Sequence, residues 1–565
     1  MSMACVVSVS HACFALEAAV DAVHADFLWQ QGYTGSGTEI GVIDLFLADS
    51  SHPAISGNFL GSQKFVNGAA WLGGHATSVT GAALSQDPTR RGVAFDAGWW
   101  TAQTTNRGSI TNQRTQTVAA ETFARGLGLL DGNPAEVLTM SIGLAGADSA
   151  VDQWSLALDH LVATHGTTIV VAAGNDGPTS GFSGPPATAF NILSVGATGG
   201  NGATISEDYS QIAPYSSRGP TNGARSKPDL VAPGSLLDLP TLGNGWSEAS
   251  GTSFAAPLVA GGAALLVDMG QDRSLDVHPL VIKSVLLNSA DKLPGWSHTA
   301  TEPLDFRYGA GQINLQSAFF QYDAGQHGPG IVDSVGWDHG AIAGEADNIY
   351  EFDVDLPAGA ELTATLAWNR QVSSSTADVE TTIYTAAPLE NLDLLLYELG
   401  DPAAPVASSV STVDNVEHLL VSLASPGHYA LAVRSANGTL VSPSPYSLAW
   451  NVAVPEILLP GDYNQNGVVD AADYTVWRDR LGQTEPLPND DTAGVGPDDY
   501  TRWVNNFGQS LGSGSGAASD LAPGDSPGAK YAVPEPSNLG LLLAMVILCW
   551  SERYRPFPRT GRLSR

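Results

Sequence analysis

Cysteine is nearly missing from this 565-residue sequence: Cys5, Cys13 and Cys549 are the only three. The long body between Cys13 and Cys549 therefore carries no disulfide, and its stability must come from core burial and any bound metal. Cysteine usage leaves the compartment open. Basic side chains are scarce too, 24 Lys and Arg against 57 Asp and Glu, for a formal net charge of −33. That shortage excludes nucleic acid as a partner, because phosphate binding needs clustered cations. It suits an exported protein that stays soluble, or one that holds calcium. Five of the bases (Arg553, Arg555, Arg559, Arg562 and Arg565) crowd the C-terminal end, so the remainder is more acidic still. Residues 1–20 also lack the Lys or Arg that opens a secretion signal. Residues 1–27 therefore read either as the remnant of an export signal or as a first helix.

The length exceeds one compact domain and points to about three. Over residues 28–322, short β-branched runs ("TEIGVID", "EVLTMSIG", "TTIVVAAGN", "FNILSVGAT") alternate with helical stretches ("ATSVTGAAL", "QWSLALDHLVATH", "FAAPLVAGGAALLVDM", "VIKSVLLNSA"). Strand then helix, repeated, predicts an α/β fold with a parallel sheet covered on both faces. Functional groups in such folds gather at the carboxyl ends of the strands. Residues 331–453 change character: "YEFDVDL", "ELTATLAW", "LDLLLYEL", "EHLLVSL" and "HYALAVRS" alternate between turn residues, a β-sandwich pattern. Residues 458–509 form a third unit, and 510–532, rich in Gly, Ser, Ala, Asp and Pro, read as a flexible linker.

Four segments hold candidate chemistry. Asp44 ends the apolar strand "IGVID", and His75 opens a small-residue helix in "GGHATSVTGAAL". Asn175 follows a buried strand in "VVAAGNDGP", and Ser253 lies in "GTSFAAP". Singly, each has a plain structural reading as a turn former, a cap or a core residue; a serine before an apolar run is above all an N-cap. Together, the order Asp, His, Asn, Ser resembles the subtilisin-like serine proteases. "HP" at 52–53, "GVA" at 92–94, "MSIG" at 140–143, "YSSRGP" at 215–220, "KPDLVAPG" at 227–234 and "YGAGQINLQSA" at 308–318 match further family segments. The resemblance covers residues 28–322 and implies a serine endopeptidase acting on proteins or peptides without a catalytic cofactor.

In that reading Ser253 both caps its helix and is the nucleophile, His75 is the general base, and Asp44 orients the imidazole. The Ser253 N–H and the Asn175 carboxamide serve as oxyanion donors, the latter worth roughly 3 kcal/mol in subtilisin. The resemblance also implies a substrate-pairing strand at Ser141, Ile142 and Gly143 and a specificity-pocket wall at Ala172, Ala173 and Gly174. Two departures stand out: Leu45 and Phe46 follow Asp44 where the family has Ser or Thr and then Gly, and Ala76-Thr77-Ser78 replaces Gly-Thr-His after the catalytic His. These changes open an alternative, a catalytically weak or inactive scaffold acting through its other modules. A lipase or esterase is disfavoured, because no Gly-x-Ser-x-Gly elbow surrounds Ser253. The resemblance further implies an inhibitory pro-domain, for which the stretch before Asp44 leaves little room; either folding needs no such chaperone or the gene start is misplaced.

Residues 331–453 resemble the β-sandwich modules behind some bacterial subtilase domains; a stabilising appendage and a carbohydrate- or surface-binding module are the two readings. "GDYNQNGVVDAADYTVWRDRLGQ" is sharper. Asp462, Asn464, Asn466, Val468, Asp470 and Asp473 occupy positions 1, 3, 5, 7, 9 and 12 of a calcium loop, with Gly467 at the sharp turn and Val468 offering its carbonyl. The segment resembles a dockerin repeat, whose partners are cohesin modules, and "DDYTRWVNNFGQ" echoes its helix. The second loop, "NDDTAGVGPDD", lacks the regular ligand spacing, so one well-formed Ca2+ site is expected. Finally, residues 533–565 hold "VPEP", a short apolar run and arginines, short of the roughly 20 residues of a full span. They resemble a PEP-CTERM sorting signal, which implies export, transient membrane anchoring and cleavage by an exosortase-type enzyme.

The expected architecture is thus a subtilisin-like parallel sheet flanked by helices, then a β-sandwich, a small helical calcium-loop module and a C-terminal hydrophobic segment.

Overall fold

The computed structural model describes residues 15–510, except 107–112, 128, 130–131, 144–151, 179–183, 202, 376–381, 400–403, 437, 439, 455–458, 491 and 493. Residues 511–565, which hold the expected sorting signal and all but the first residue of the expected linker, lie outside the described residues. The chain divides into two compact units, Met1–Pro455 and Glu456–Arg565.

The first unit is built on a seven-stranded sheet in the order Phe59–Lys64, Gly98–Gln103, Glu39–Asp44, Val137–Met140, Thr168–Ala172, Leu193–Thr198, Leu230–Pro233. Every pairing in it is parallel. Parallel strands need crossovers, and the crossovers bury both faces. Alternation along each strand shows this directly. Ile40, Val42, Val170 and Ala172 enter one apolar cluster. Ile43, Ile169, Val171 and Ala173 enter the cluster on the opposite face. Since all strands run the same way, Asp44, Ser141 and Gly174 emerge together at the carboxyl ends of the three central strands.

Helix Thr252–Arg273 is apolar on all faces as far as Val267 because that part is the buried backbone of the first cluster. It is long and apolar enough to cross a membrane, but 89% of its most hydrophobic window is buried in the unit. Residues 15–30, read from sequence as a signal remnant or a first helix, form helices Ala15–Asp21 and Ala25–Gln30. Leu16, Val20, Val23 and Leu28 are buried in the same cluster as the long helix.

Beyond residue 330, two further sheets share one apolar core. The five-stranded sheet contains Leu392–Glu398 and Tyr429–Ser435, and the four-stranded sheet contains Glu361–Trp368 and Leu440–Ala453. Their outer contacts tie them to the parallel-sheet region. Arg370 pairs with buried Asp159 (Nε to Oδ2, 3.0 Å) and stacks 4.2 Å from the Phe190 ring. Asn191 donates to the Arg370 carbonyl, Ser284 and Ser447 share a hydroxyl hydrogen bond, and Trp337 and Ala449 join the first cluster.

In the second unit, helices Ala471–Arg480 and Pro497–Asn506 exchange equivalent contacts. Trp477 Nε1 donates to the Gly496 carbonyl and Trp503 Nε1 to the Asp470 carbonyl, each at 2.7 Å. Each tryptophan thus holds the N-cap residue of the other helix, the structural counterpart of the sequence echo.

Candidate active site

Asp44 is the last residue of its strand, and its backbone is fixed by Thr104, whose hydroxyl donates to the Asp44 carbonyl at 2.7 Å. Its carboxylate is buried, with a side chain only 4% exposed. Oδ1 accepts the Leu45 N–H at 2.6 Å, and Oδ2 lies 2.7 Å from His75 Nδ1. This assigns Nδ1 as the protonated nitrogen and leaves Nε2 as the basic one. His75 is the second residue of helix Gly74–Leu84, and its side chain is 44% exposed toward the cleft. Partial desolvation in the cleft wall opposes an imidazolium, but the Asp44 charge and hydrogen bond outweigh it, so the His75 pKa is raised.

Ser253 does not cap its helix. The N-cap is Gly251, and Ser253 is the second residue inside Thr252–Arg273. A proline four residues on explains an otherwise odd contact. Pro257 has no N–H for the Ser253 carbonyl, and Ser141 Oγ donates to that carbonyl at 2.7 Å instead. Among the described residues, no hydrogen bond within 3.5 Å engages Ser253 Oγ. His75 approaches this helix through Phe254, with ring centroids 5.7 Å apart.

The Asn175 side chain is oriented by a residue that sequence reasoning passed over. Its Oδ1 accepts both the Thr252 N–H (2.9 Å) and the Thr252 hydroxyl (3.0 Å). The Gly174 N–H donates to the same hydroxyl at 3.1 Å. With the oxygen engaged, Nδ2 is the outward-facing donor. A Cβ added at Gly251 would stand 3.6 Å from Asn175 Nδ2 and 3.7 Å from the Ser253 N. The two donors therefore flank one small space that glycine keeps open. The signal in the sequence was the Thr before Ser253, whose partner is distant in the chain.

A cleft of about 760 Å³ runs past Asp44, His75 and Ser141–Gly143. The expected pocket wall at 172–174 divides. Ala172 and Ala173 are buried on opposite faces of the sheet, so neither methyl lines the cleft; only Gly174 remains partly accessible. The two departures from the family pattern also have places. Ser78 is buried and donates to the Pro240 carbonyl at 2.8 Å, tying its helix to the following hairpin. Leu45 and Phe46 line the cleft.

In the second unit, the 462–473 loop folds around its own carboxylates. Asp462 accepts the N–H groups of Asn466 (3.1 Å) and Gly467 (2.8 Å), and Asp473 those of Asn464 (2.9 Å) and Asp470 (2.8 Å). Asp462 and Asp473 are buried, and burial together with the charges of Asp462 and Asp470 raises the Asp473 pKa. An all-oxygen set carrying crowded negative charge fits a hard cation such as Ca2+. The second loop differs: Arg502 Nη1 lies 3.2 Å from Asp490 Oδ1, and Thr492 bridges Asp490 and Asp499.

Residues 35–311 match the model of the Subtilase family, Peptidase_S8. The human Membrane-bound transcription factor site-1 protease is 31% identical over 313 residues, which cover 53% of this chain and 26% of that protein. Serine protease AprX of Bacillus subtilis is 29% identical over 334 residues, covering 54% and 71%. Pyrolysin of Pyrococcus furiosus is 33% identical over 207 residues, covering 33% and 15%. The chain thus spans about a quarter of the length of the site-1 proteases it matches.

Proposed function

We propose that this chain, in which residues 35–311 form a subtilase domain, is a serine endopeptidase acting on protein or peptide substrates. The observation that carries the reading is the 2.7 Å contact between buried Asp44 and exposed His75 at the cleft. His75 Nε2 takes the Ser253 proton as Oγ attacks the scissile carbonyl, and the imidazolium then protonates the leaving amine. Asp44 holds the ring and stabilises its charged form. Asn175 Nδ2 and the Ser253 N–H receive the negative charge that develops on the carbonyl oxygen. Ser141–Gly143 pairs with the extended substrate backbone.

The all-oxygen loop would hold Ca2+ through Asp462, Asn464, Asn466, Asp470 and Asp473 with the Val468 carbonyl; bound there, the ion neutralises buried carboxylates and stabilises the second unit. A dockerin-like role for this unit, a β-sandwich module over residues 331–453, and export with sorting by the C-terminal segment complete the proposal.

Hydrolysis of an unfolded protein such as casein, with Ser253→Ala and His75→Ala as controls, tests the central reading. Loss of hydrolysis in both variants is the expected result. Equal hydrolysis by the variants would remove it.

A further inference from the structure

Two glycines precede His75, and each is occupied from one side by a bulky neighbour. A Cβ at Gly73 would stand 3.0 Å from Phe46 Cβ. A Cβ at Gly74 would stand 3.0 Å from Thr241 Oγ1 and 4.0 Å from Leu242 Cγ. The missing side chains let Phe46 and the tip of a hairpin close in on the segment that carries the catalytic base. The result is an apolar wall beside His75, made by Phe46, Trp71, Leu72 and Leu242, all of which line the cleft.

This wall is exposed yet held firmly. Trp71, Leu72 and Leu242 are 37%, 52% and 44% exposed, unusual for large apolar side chains gathered at one place. Their backbones are pinned. Leu47 N–H donates to the Trp71 carbonyl (2.9 Å), Gly73 N–H to the Leu47 carbonyl (2.8 Å), and Trp71 N–H to Gln103 Oε1 (2.8 Å). The hairpin of Leu237–Thr241 and Gly245–Ala249 is anchored next to its tip, where His52 Nε2 lies 3.1 Å from the Gly245 carbonyl. Ser78 holds the same hairpin from below through Pro240. Exposed apolar area on a rigid frame is a preformed binding surface, since little ordering entropy remains to be lost on binding. The cleft volume of about 760 Å³ also falls within the roughly 300–1,000 Å³ of preformed ligand sites.

The geometry points to a subsite for a large apolar or aromatic side chain of the substrate, next to the scissile bond on the His75 side, with Trp71 and Leu242 as its specificity-determining residues. The inference rests on the endopeptidase reading, because the same cleft holds His75. Chemistry selects the occupant: among the described cleft residues the ionisable side chains, Asp44 and His75, are engaged with each other, so a charged substrate group would lose water without gaining a free partner there. An apolar side chain gains by covering the wall.

The test has two arms. Synthetic hexapeptide amides carry Phe, Leu, Gly or Asp at the positions flanking the central bond. Their binding to Ser253→Ala protein is followed by calorimetry, and their cleavage by the wild type by mass spectrometry. On the Ser253→Ala background, Phe and Leu peptides should bind roughly tenfold to hundredfold more tightly than the Gly and Asp peptides. Adding Trp71→Ala or Leu242→Ser should erase most of that difference, with unchanged melting temperature showing that the fold is intact. Discriminating binding without cleavage by the wild type would support the subsite and remove the protease reading. Cleavage without discrimination, or discrimination untouched in both wall variants, would overturn the subsite and leave the protease reading in place.

Discussion

The Ser141 hydroxyl donates to the Ser253 carbonyl at 2.7 Å, supplying the hydrogen bond that Pro257 cannot. The contact joins the cleft-lining segment after one strand to the first turn of the helix that carries Ser253, the proposed nucleophile. Removing the hydroxyl leaves that carbonyl without its donor, at a cost of about 1 kcal/mol. Ser141→Ala should therefore lower the melting temperature of the first unit by about one degree and reduce kcat. Pro257→Ala restores an N–H to the helix, so Ser141→Ala should cost less in that background. A double-mutant cycle should show coupling of about 0.5–1.5 kcal/mol, and strict additivity would refute the link.

Thr252 orients Asn175 through two hydrogen bonds to one amide oxygen. Thr252→Val keeps the volume and removes the hydroxyl, so the amide is held by the backbone N–H alone. We expect kcat to fall about tenfold with KM little changed, while Thr252→Ser retains most activity. Asn175→Ala should be worse, on the order of 10²–10³ in kcat. A Thr252→Val enzyme with wild-type kcat would exclude the clamp.

In the proposed mechanism His75 accepts the Ser253 proton and must be neutral to do so, and Asp44 raises its pKa above the ordinary value of about 6.5. A raised pKa keeps the ring protonated to higher pH, so the acid limb of the kcat/KM profile should lie above pH 6.5. Asp44→Asn removes the charge; the limb should move to lower pH and kcat should drop by about 10⁴. A profile whose acid limb is unaltered in Asp44→Asn would show that His75 is not the titrating base.

Calcium removal should act on the second unit. The raised pKa of Asp473 means that, without the ion, the folded loop binds a proton more readily than the unfolded chain. Its stability contribution is then present at low pH and lost as pH rises through the carboxylate range. Ca2+ should reverse this at neutral pH, adding about 2.7 kcal/mol at a hundredfold excess over Kd. Calorimetry of the EDTA-treated chain should show a calcium-dependent transition, absent in Asp473→Asn. An identical profile with and without calcium would exclude the site.

The sequence exposes these features unevenly. Asp44 at a strand tip and His75 at a helix start follow from local patterns, because strand and helix periodicity are local. Strands Gly98–Gln103 and Leu230–Pro233 are hard to read locally, since short buried strands of a parallel sheet lack polar alternation, and the half-exposed edge strand Phe59–Lys64 ("FLGSQK") is too poor in apolar and β-branched residues to announce itself. The same double burial hides which face Ala172 and Ala173 take. Ser253 lies two residues past the cap position that a serine before an apolar run suggests, because Gly251 supplies the cap backbone. Thr252 to Asn175, Ser141 to Ser253 and Arg370 to Asp159 join residues 77, 112 and 211 positions apart, and no local pattern announces such pairs.

The measurement that addresses the central claim most directly is labelling of the purified chain with a fluorophosphonate, with the modified residue located by mass spectrometry. The label should sit on Ser253, and should be lost in His75→Ala as well as in Ser253→Ala. A folded wild type left unlabelled, or labelled at another serine, would contradict the assignment of Ser253 as nucleophile.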